Sequence, residues 1–305
     1  MDSTINIRWI MSLMLMFFFA SGYAQDEEKT SIGEVVYEEY QENGIDEAIS
    51  KYKDLKANQA DDYTWNEWEL NNIGYQIMND DNDLEAAEKI FSLNIEEYPK
   101  AANPYDSYAD YLLEKGDTEK AKEYLKKSIA IAEKSDIEDE QTRILSASKG
   151  KLARLEKKDK QLDFLVGDWN IDATGYQEGK EANKMKGKDK VVYDENANAI
   201  IFHHFDDQQQ SEGMRILAYD AVDDEFDVAY LSPSSLQGIQ MSSMKMKNIG
   251  ENKYEFMDHY TTRNGKEMMM RHEMERISDN EIKWVIFEKS EQGDWQKVYA
   301  MNMTK

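Results

Sequence analysis

The spacing of apolar residues changes once along this chain of 305 residues, at residues 162–169. Before this segment, apolar residues recur three and four positions apart, which is typical of amphipathic helices. After it, they alternate with polar residues or form short blocks between turn residues, which is typical of strands. The pattern predicts a helical domain at residues 26–157, a joint, and a β domain at residues 162–305.

The helical region contains an internal repeat. Gly74 corresponds to Ala109, 35 residues later, and Ala87 corresponds to Ala121, 34 residues later. This spacing resembles the tetratricopeptide repeat, in which two short helices alternate and small residues lie where they cross. A side chain larger than Ala at such a crossing would push the helices apart. The resemblance implies a stack of helical hairpins whose groove contacts a protein partner.

A weaker copy precedes these two repeats. Residues 44–55 have the pattern of a turn and a second helix, and residues 32–41 would form the first helix of that pair. The sequence thus predicts about three helix pairs between residues 30 and 134, and a further helix at residues 140–156 that caps the stack. A groove that binds a protein and a rigid spacer that only holds the β domain both remain open.

Turn residues divide the β region at regular intervals. Nine turn clusters, from Gln177-Glu-Gly179 to Gln292-Gly-Asp294, imply about ten strands. An open sheet of ten strands would leave two exposed edges, and closure into a barrel removes them. The fold class predicted is therefore helical hairpins followed by an antiparallel β-barrel of about ten strands.

The start of the β region carries a family resemblance. Gly167-Asp-Trp169 resembles the Gly-x-Trp that opens lipocalin-like (calycin) barrels, in which the Trp closes one end. With Leu217-Ala-Tyr-Asp220 and the series Arg271, Trp284 and Glu288, nearly all of residues 162–305 resemble a bacterial domain family of unknown function with that predicted barrel. In calycins an Arg or Lys from the last strand commonly covers the Trp, and the predicted last strand, residues 295–304, offers Lys297.

One hairpin has a predicted register. Asn264-Gly265 is the strongest two-residue turn signal, and it would place Asp258 opposite Arg271 as a cross-strand ion pair. One face of this hairpin would carry Met257, His259, Thr261, Met268, Met270, His272 and Met274, and the other Phe256, Asp258, Tyr260, Met269, Arg271 and Glu273. Because the first face has fewer charges, we expect it to face the barrel interior.

The same face supplies most of the candidate ligand-binding residues. They are Met257, His259, Met270, His272 and, from another strand, His204. All four histidines and 12 of the 17 methionines lie in the β region. His and Met could form a soft-metal or haem site, but flexible Met side chains also fill apolar interiors. The sequence predicts a small apolar ligand or a filled structural barrel, with no metal and no cofactor.

Few signs of catalysis are present. The chain has no cysteine, which excludes thiol catalysis and Cys-ligated metals. No nucleophile elbow, His-Glu-x-x-His motif, phosphate loop or Gly-rich dinucleotide turn occurs. We therefore expect a binding or scaffold protein without catalytic residues. The alternative is an enzyme, hydrolase-like or dependent on haem or a metal, with its site in the barrel mouth.

The net charge bears on the partners of the protein, and its N-terminal residues bear on its cellular location. The net charge of −25 would repel a phosphate backbone, so we expect no nucleic-acid partner. Arg8, the apolar residues 9–20 and Gly22-Tyr-Ala24 have the pattern of a signal peptide, residues 1–24, cleaved after Ala24. The apolar run is short for a membrane span. The expectation is a periplasmic or secreted protein without stable membrane insertion, the alternative being an uncleaved anchor.

Overall fold

The computed structural model describes residues 29–231, 239–261 and 265–305. The predicted signal peptide and Asn264 of the predicted turn lie outside these residues. The described residues form two compact units, which divide between Leu93 and Asn94. The predicted domain limits at residues 157 and 162 stay a prediction. No helix among the described residues is long and apolar enough to cross a membrane.

Helices fill the first half of the described chain. They are α1 (Ile32–Asn43), α2 (Ile45–Asn58), α3 (Glu67–Asn79), α4 (Leu84–Glu97), α5 (Asn103–Glu114), α6 (Thr118–Ala132) and α7 (Leu145–Leu155). A π-helical turn, Glu140–Ile144, leads directly into α7. Two short strands, β1 (Thr30–Ser31) and β2 (Tyr63–Thr64), pair in parallel. The helix pairs and the helix predicted at residues 140–156 are confirmed.

Local sequence signals explain where several helices begin. Ser31, Asn66 and Asp117 precede α1, α3 and α6, and each side chain accepts a hydrogen bond from a backbone N–H of the first turn. Such caps satisfy N–H groups that have no partner within the helix. Pro104 lies in the first turn of α5, where its missing N–H is tolerated.

The small residues of the repeat lie in tight packing, as the sequence predicts. Ala87, Ala109 and Ala121 are fully buried. At Gly74 in α3, an added Cβ would lie 2.5 Å from Cε1 of Phe91 in α4. Phe91 is itself fully buried, so its ring has little room to move. Glycine is therefore required at this position by the approach of the Phe91 ring.

Replacing Gly74 by Ala should lower the free energy of unfolding by roughly 1–2 kcal/mol, because overpacking outweighs the better helix propensity of Ala. Gly150 in α7 is the matched control, since a Cβ there meets nothing within 4 Å. Gly150→Ala should stabilise by about 0.5–1 kcal/mol. Urea unfolding of both variants tests this, and the same sign for the two would contradict the packing argument.

A buried polar network joins three helices of the second unit. Ser148 in α7 donates to Asp106 in α5 (2.6 Å), and its Oγ lies 2.9 Å from Ser128 in α6. Ser128 donates in turn to the carbonyl oxygen of Ala102. Lys151 donates to Asp106 at 2.8 Å and to Asp110 at 2.7 Å. Burial alone would lower the pKa of Lys151, but the two carboxylates raise it above its ordinary value.

Ten antiparallel strands follow and close into a barrel. They are β3 (Gly167–Gln177), β4 (Lys180–Asp194), β5 (Ala199–Asp206), β6 (Ser211–Asp220), β7 (Glu225–Leu231), β8 (Ile239–Gly250), β9 (Lys253–Thr261), β10 (Glu267–Ser278), β11 (Glu281–Lys289) and β12 (Trp295–Thr304). Each strand pairs with its neighbour in sequence, and β12 pairs with β3 to close the barrel. The predicted number of strands and the predicted closure are confirmed.

Trp169 lies at one end of the barrel among apolar side chains. It is 1% exposed, and its Nε1 donates to the carbonyl oxygen of Leu165 at 2.6 Å. The Nζ of Lys305 lies 4.6 Å from the ring centroid of Trp169 and donates to the carbonyl oxygen of Val166. Lys297, the basic residue of β12, instead lies over the ring of Tyr176. Lys305 thus provides the cation over this Trp.

The predicted register of the β9–β10 hairpin is wrong by one residue. Asp258 lies opposite Met270, and Arg271 lies opposite Met257. Thr261 pairs with Glu267, so residues 262–266 connect the strands. A two-residue turn requires an even number of connecting residues, and this number is odd. A shift of one residue exchanges the faces of one strand relative to the other.

Because of this shift, the predicted interior face is correct for β10 and wrong for β9. Met270, His272 and Met274 of β10 face the interior, as predicted. On β9 the interior residues are Phe256 and Asp258, while Met257 and His259 face outward, since they pair with Arg271 and Met269. Arg271 packs outside, with its Cζ 4.6 Å from the ring centroid of Phe287 and 5.1 Å from that of Trp295. The predicted Asp258–Arg271 ion pair is therefore absent.

Candidate functional site

The barrel contains a half-open cavity of about 620 Å³ on the side of the lumen away from Trp169. Its apolar wall is formed by Ile171, Ala173, Phe202, Met270, Trp284, Ile286 and Met301. Its polar side chains include Asp189, His204, Arg215, Tyr230 and Tyr299, and Lys184, Lys186 and Lys188 also line it. The barrel is therefore partly hollow, with an apolar region and a group of converging polar side chains.

The apolar core below the cavity follows from the alternation of β-strands. Side chains of one parity on each strand meet in the lumen. Near Trp169 these positions are apolar and buried, and they include Val191, Ile200, Leu217, Phe226, Met244, Phe256, Met274, Ile282 and Met303. Two residues closer to the cavity, the same faces carry Asp189 of β4, Phe202 of β5 and Arg215 of β6. His204 follows two residues after Phe202 on β5. The lining of the lumen thus changes from apolar to polar over about two to four residues along each of these strands.

Arg215 places a positive charge inside the lumen. On β6 it lies opposite Phe202 of β5 and Tyr230 of β7. Its guanidinium carbon lies 5.7 Å from the ring centroid of Tyr230, a cation–π contact. Among the described residues, no acid forms an ion pair with Arg215. The guanidinium is consequently available to a group that enters the cavity.

His204 and Asp189 form a hydrogen-bonded pair on neighbouring strands. Nδ1 of His204 lies 2.7 Å from Oδ1 of Asp189. The carboxylate accepts, so Nδ1 carries a proton, and in a neutral imidazole Nε2 is then an acceptor. Nε2 is buried without a hydrogen-bond partner in the described part of the chain. An oriented His of this kind is the geometry of a general base, but here the free nitrogen is enclosed rather than open to the cavity.

Asp258 and His272 are a second pair that faces the interior. Their Oδ2 and Nε2 atoms are 3.7 Å apart, beyond hydrogen-bond distance. Burial, together with the smaller effect of the charge of Arg215, lowers the pKa of His272 to about 3. Burial raises the pKa of Asp258, against a hydrogen bond from Ser242 and the charge of Arg215. Burial thus favours the neutral form of both side chains.

Tyr299 of β12 adds a hydroxyl group to the polar side of the cavity. Burial raises its pKa, as do the negative charges of Asp189 and Glu212, while Arg215 opposes them. The phenol therefore keeps its proton at neutral pH and remains a hydrogen-bond donor. With Arg215 and Tyr230, it gives this side of the lumen groups that suit an acceptor-rich ligand.

The structure brings together three of the five ligand-binding residues predicted from the sequence. Met270 and His204 line the cavity, and His272 is buried in the interior with its ring 5.9 Å from that of Trp284. Met257 and the exposed His259 lie on the outer face and do not reach the lumen. Their prediction as interior residues was wrong because it depended on the hairpin register.

The same correction changes the metal argument. His259 and His272 lie on opposite faces of the sheet and cannot bind one ion together. In residues 29–231, 239–261 and 265–305, no group of three or more His, Asp or Glu side chains is placed to hold a metal. His203 and His204 point to opposite faces of β5, as strand alternation requires.

Four residues of the cavity were missed at the level of sequence: Asp189, Arg215, Tyr230 and Tyr299. Asp189 and His204 could have been paired only with the register of β4 and β5 in hand. Tyr230 shares the more apolar face of β7 with Phe226 and Val228, and Tyr299 shares that of β12 with Met301 and Met303, but their side chains were not considered as ligand groups. Arg215 lies on the less apolar face of β6, so the choice of the apolar face would have placed it outside.

Comparisons with known proteins give distant similarities of fold. No family model matches the chain, and no curated protein matches it. The crystal structure of Rv2717c from M. tuberculosis is similar at 12% identity with a TM-score of 0.33, over 48% of this chain and 96% of that one. The S-type phycobiliprotein lyase CPES from Guillardia theta matches at 9% identity with a TM-score of 0.32, over 49% and 94% of the two chains. A redesigned β-barrel matches at 10% identity with a TM-score of 0.24, over 47% and 92%.

Proposed function

We propose that this protein is a binding protein whose barrel holds one small, mainly apolar organic molecule. The observation that carries the proposal is the cavity of about 620 Å³ in a barrel that is otherwise densely filled. Binding sites for small molecules in proteins are typically about 300–1,000 Å³, mostly apolar, with a few placed polar groups. The cavity has a volume in this range. Its apolar wall, which includes Ile171, Trp284 and Met301, faces a comparable share of polar and charged groups around Arg215.

An enzyme in the barrel mouth is the alternative, and the His204–Asp189 pair is the feature that favours it. A general base must reach the proton that it removes, at about 3 Å or through one water. The enclosed Nε2 of His204 does not offer that access in this structure. Binding is therefore the function that the geometry supports better.

Filling the cavity tests the proposal. Ala173 is buried and lines the cavity, so Ala173→Phe should occupy the space of the ligand. Ala229 on β7 faces outward, and Ala229→Phe is the matched control. With N-phenyl-1-naphthylamine, an uncharged fluorescent probe, we expect one site in the wild type and in Ala229→Phe. Ala173→Phe should weaken binding by about tenfold or more.

Thermal unfolding of both variants shows whether they remain folded. The proposal fails if the wild type does not bind the probe, or if a folded Ala173→Phe binds it as the wild type does. Independently, native mass spectrometry of the protein purified from the cells that naturally produce it would identify any molecule retained in the cavity.

We propose further that the helical hairpins are of the tetratricopeptide type and contact a protein partner. Supporting this, α1 and α3 line a groove of about 390 Å³ with Glu34, Tyr37, Asn72 and Gln76. A rigid spacer is the other role, and a photo-crosslinker at Tyr37 distinguishes the two. A partner would crosslink there and not at the exposed Lys51 of α2.

Export is also part of the proposal, in a periplasmic or extracellular location. It depends on the pattern of residues 1–24 alone. Sequencing the N-terminus of the exported protein should give Gln25 as its first residue. Recovery of Met1 would contradict cleavage.

A further inference from the structure

We propose that the ligand of the barrel is an organic anion, and that Arg215 binds its negative group inside the lumen. This inference depends on the proposed function, since it assumes that the cavity is a binding site. It adds the chemical class of the ligand: a compact molecule with an apolar body and one carboxylate, sulfonate or phosphate group.

The first argument is the position of Arg215 in the lumen. Arg215 lies two residues along β6 from Leu217 of the apolar core. Its cross-strand neighbours are Phe202 and Tyr230, and it lines the cavity. A cation that is partly removed from water loses hydration, and an anion that reaches it restores the lost interaction. Arginine suits this role because its planar guanidinium can donate two parallel hydrogen bonds to an anionic group.

The second argument is that the acids along the cavity are engaged elsewhere. Asp189 accepts from His204, and Asp206 accepts from the backbone N–H groups of Gln208 and Gln210. Asp207 and Glu212 are exposed to solvent. None of the acids in the described ranges lies within ion-pair distance of Arg215.

The third argument concerns the two titratable groups on the opposite wall. Asp258 and His272 both interact electrostatically with Arg215. Burial raises the pKa of Asp258 and lowers that of His272, so it favours a protonated acid and a neutral imidazole. In the described part of the chain, Asp258 forms no ion pair with Arg215. The positive charge of Arg215 is thus left for a molecule that enters the cavity.

The net charge of the chain makes the inference specific. At −25 the protein as a whole repels anions. Preference for an anion over its uncharged analogue must then come from a local group. The protonated hydroxyl of Tyr299, whose pKa is raised by burial, adds a donor on the same side of the lumen.

Two probes that share a naphthylamine body test the inference. 1-Anilinonaphthalene-8-sulfonate carries a sulfonate, and N-phenyl-1-naphthylamine lacks it. The variant is Arg215→Gln, and Lys190→Gln on the exposed outer face of β4 removes the same charge outside the lumen. We expect Arg215→Gln to weaken binding of the sulfonate by about tenfold or more. Its affinity for the uncharged probe should change less than about twofold, and Lys190→Gln should affect neither probe.

Arg215→Lys provides a second variant that keeps the charge if the Gln variant does not fold. It should retain a preference for the sulfonate that is reduced but measurable, because Lys lacks the planar pair of donors. Suppose that the uncharged probe binds in the cavity, as shown by its loss in Ala173→Phe. The inference is then overturned if substitution of Arg215 changes the affinities for both probes equally or changes neither. If neither probe responds to Ala173→Phe, the proposed function itself has failed.

Discussion

Replacement of Trp169 by Ala is expected to lower the free energy of unfolding by roughly 3–5 kcal/mol, the range for large aromatic side chains in a core. Trp169 is almost fully buried and fills the end of the barrel beside Leu165. Its removal would leave a cavity, free the carbonyl oxygen of Leu165 and remove the ring beneath Lys305. Denaturant unfolding monitored by circular dichroism measures the change.

Two smaller substitutions separate these contributions. Trp169→Phe keeps most of the apolar volume and loses the Nε1 donor, so it should cost about 1–2 kcal/mol. Lys305→Met keeps the stem of the side chain and removes the cation, which should cost about 0.5–1 kcal/mol. An Ala variant that is no less stable than the Phe variant would show that Trp169 does not fill this end of the barrel.

Replacement of Asp106 by Ala should cost roughly 3 kcal/mol, because the carboxylate is the centre of the buried network in the second unit. It accepts from Ser148 and Lys151, and its side chain is 8% exposed. Without this carboxylate, the Ser148 hydroxyl keeps only the Ser128 hydroxyl as a partner, and Lys151 keeps only the Asp110 carboxylate. Urea unfolding at neutral pH provides the measurement.

The control for this substitution is an exposed Asp–Arg pair. Asp139 and Arg143 form an ion pair 2.8 Å long with both side chains about half exposed, 50% and 51%. Asp139→Ala should cost less than about 0.5 kcal/mol. Equal losses at Asp106 and Asp139 would contradict a special role for the buried network.

The pH dependence of the network has a defined sign. The pKa of Lys151 is raised in the folded state. The stability that this contributes is therefore complete below the ordinary lysine pKa, and it is lost only as the pH rises through the folded value. In the Asp106→Ala variant, the alkaline loss of stability should be smaller than in the wild type.

Much of the architecture was predictable because it depends on short-range patterns. The change from helical to strand spacing at residues 162–169 and the regular turn clusters require only the periodicity of side chains. The small residues Gly74 and Ala121 were predicted from spacing alone, and both lie in tight packing. Barrel closure followed from the number of strands and the exposure of sheet edges.

The candidate site was less predictable because it depends on register. An odd number of residues in one connection moved Met257 and His259 to the outer face and brought Asp258 inside. On β6, Arg215 lies between Met214 and Ile216, so hydrophobicity alone favoured the opposite face as the interior. The choice of the face with fewer charges was right for β10, but the same choice on β6 would have placed Arg215 outside the lumen.

Closure of the barrel also constrains the order of events during folding. Nine of the ten strand pairings join neighbours in sequence, and the pairing of β12 with β3 is the exception. Asn170 and Thr304 meet across it although 134 residues separate them. Hairpins can form early because their loops are short, whereas this long-range seam carries the largest entropy of loop closure. A folding chain would therefore expose the edges of β3 and β11 until β12 pairs with both, and this seam is where premature contacts with other chains are most readily made.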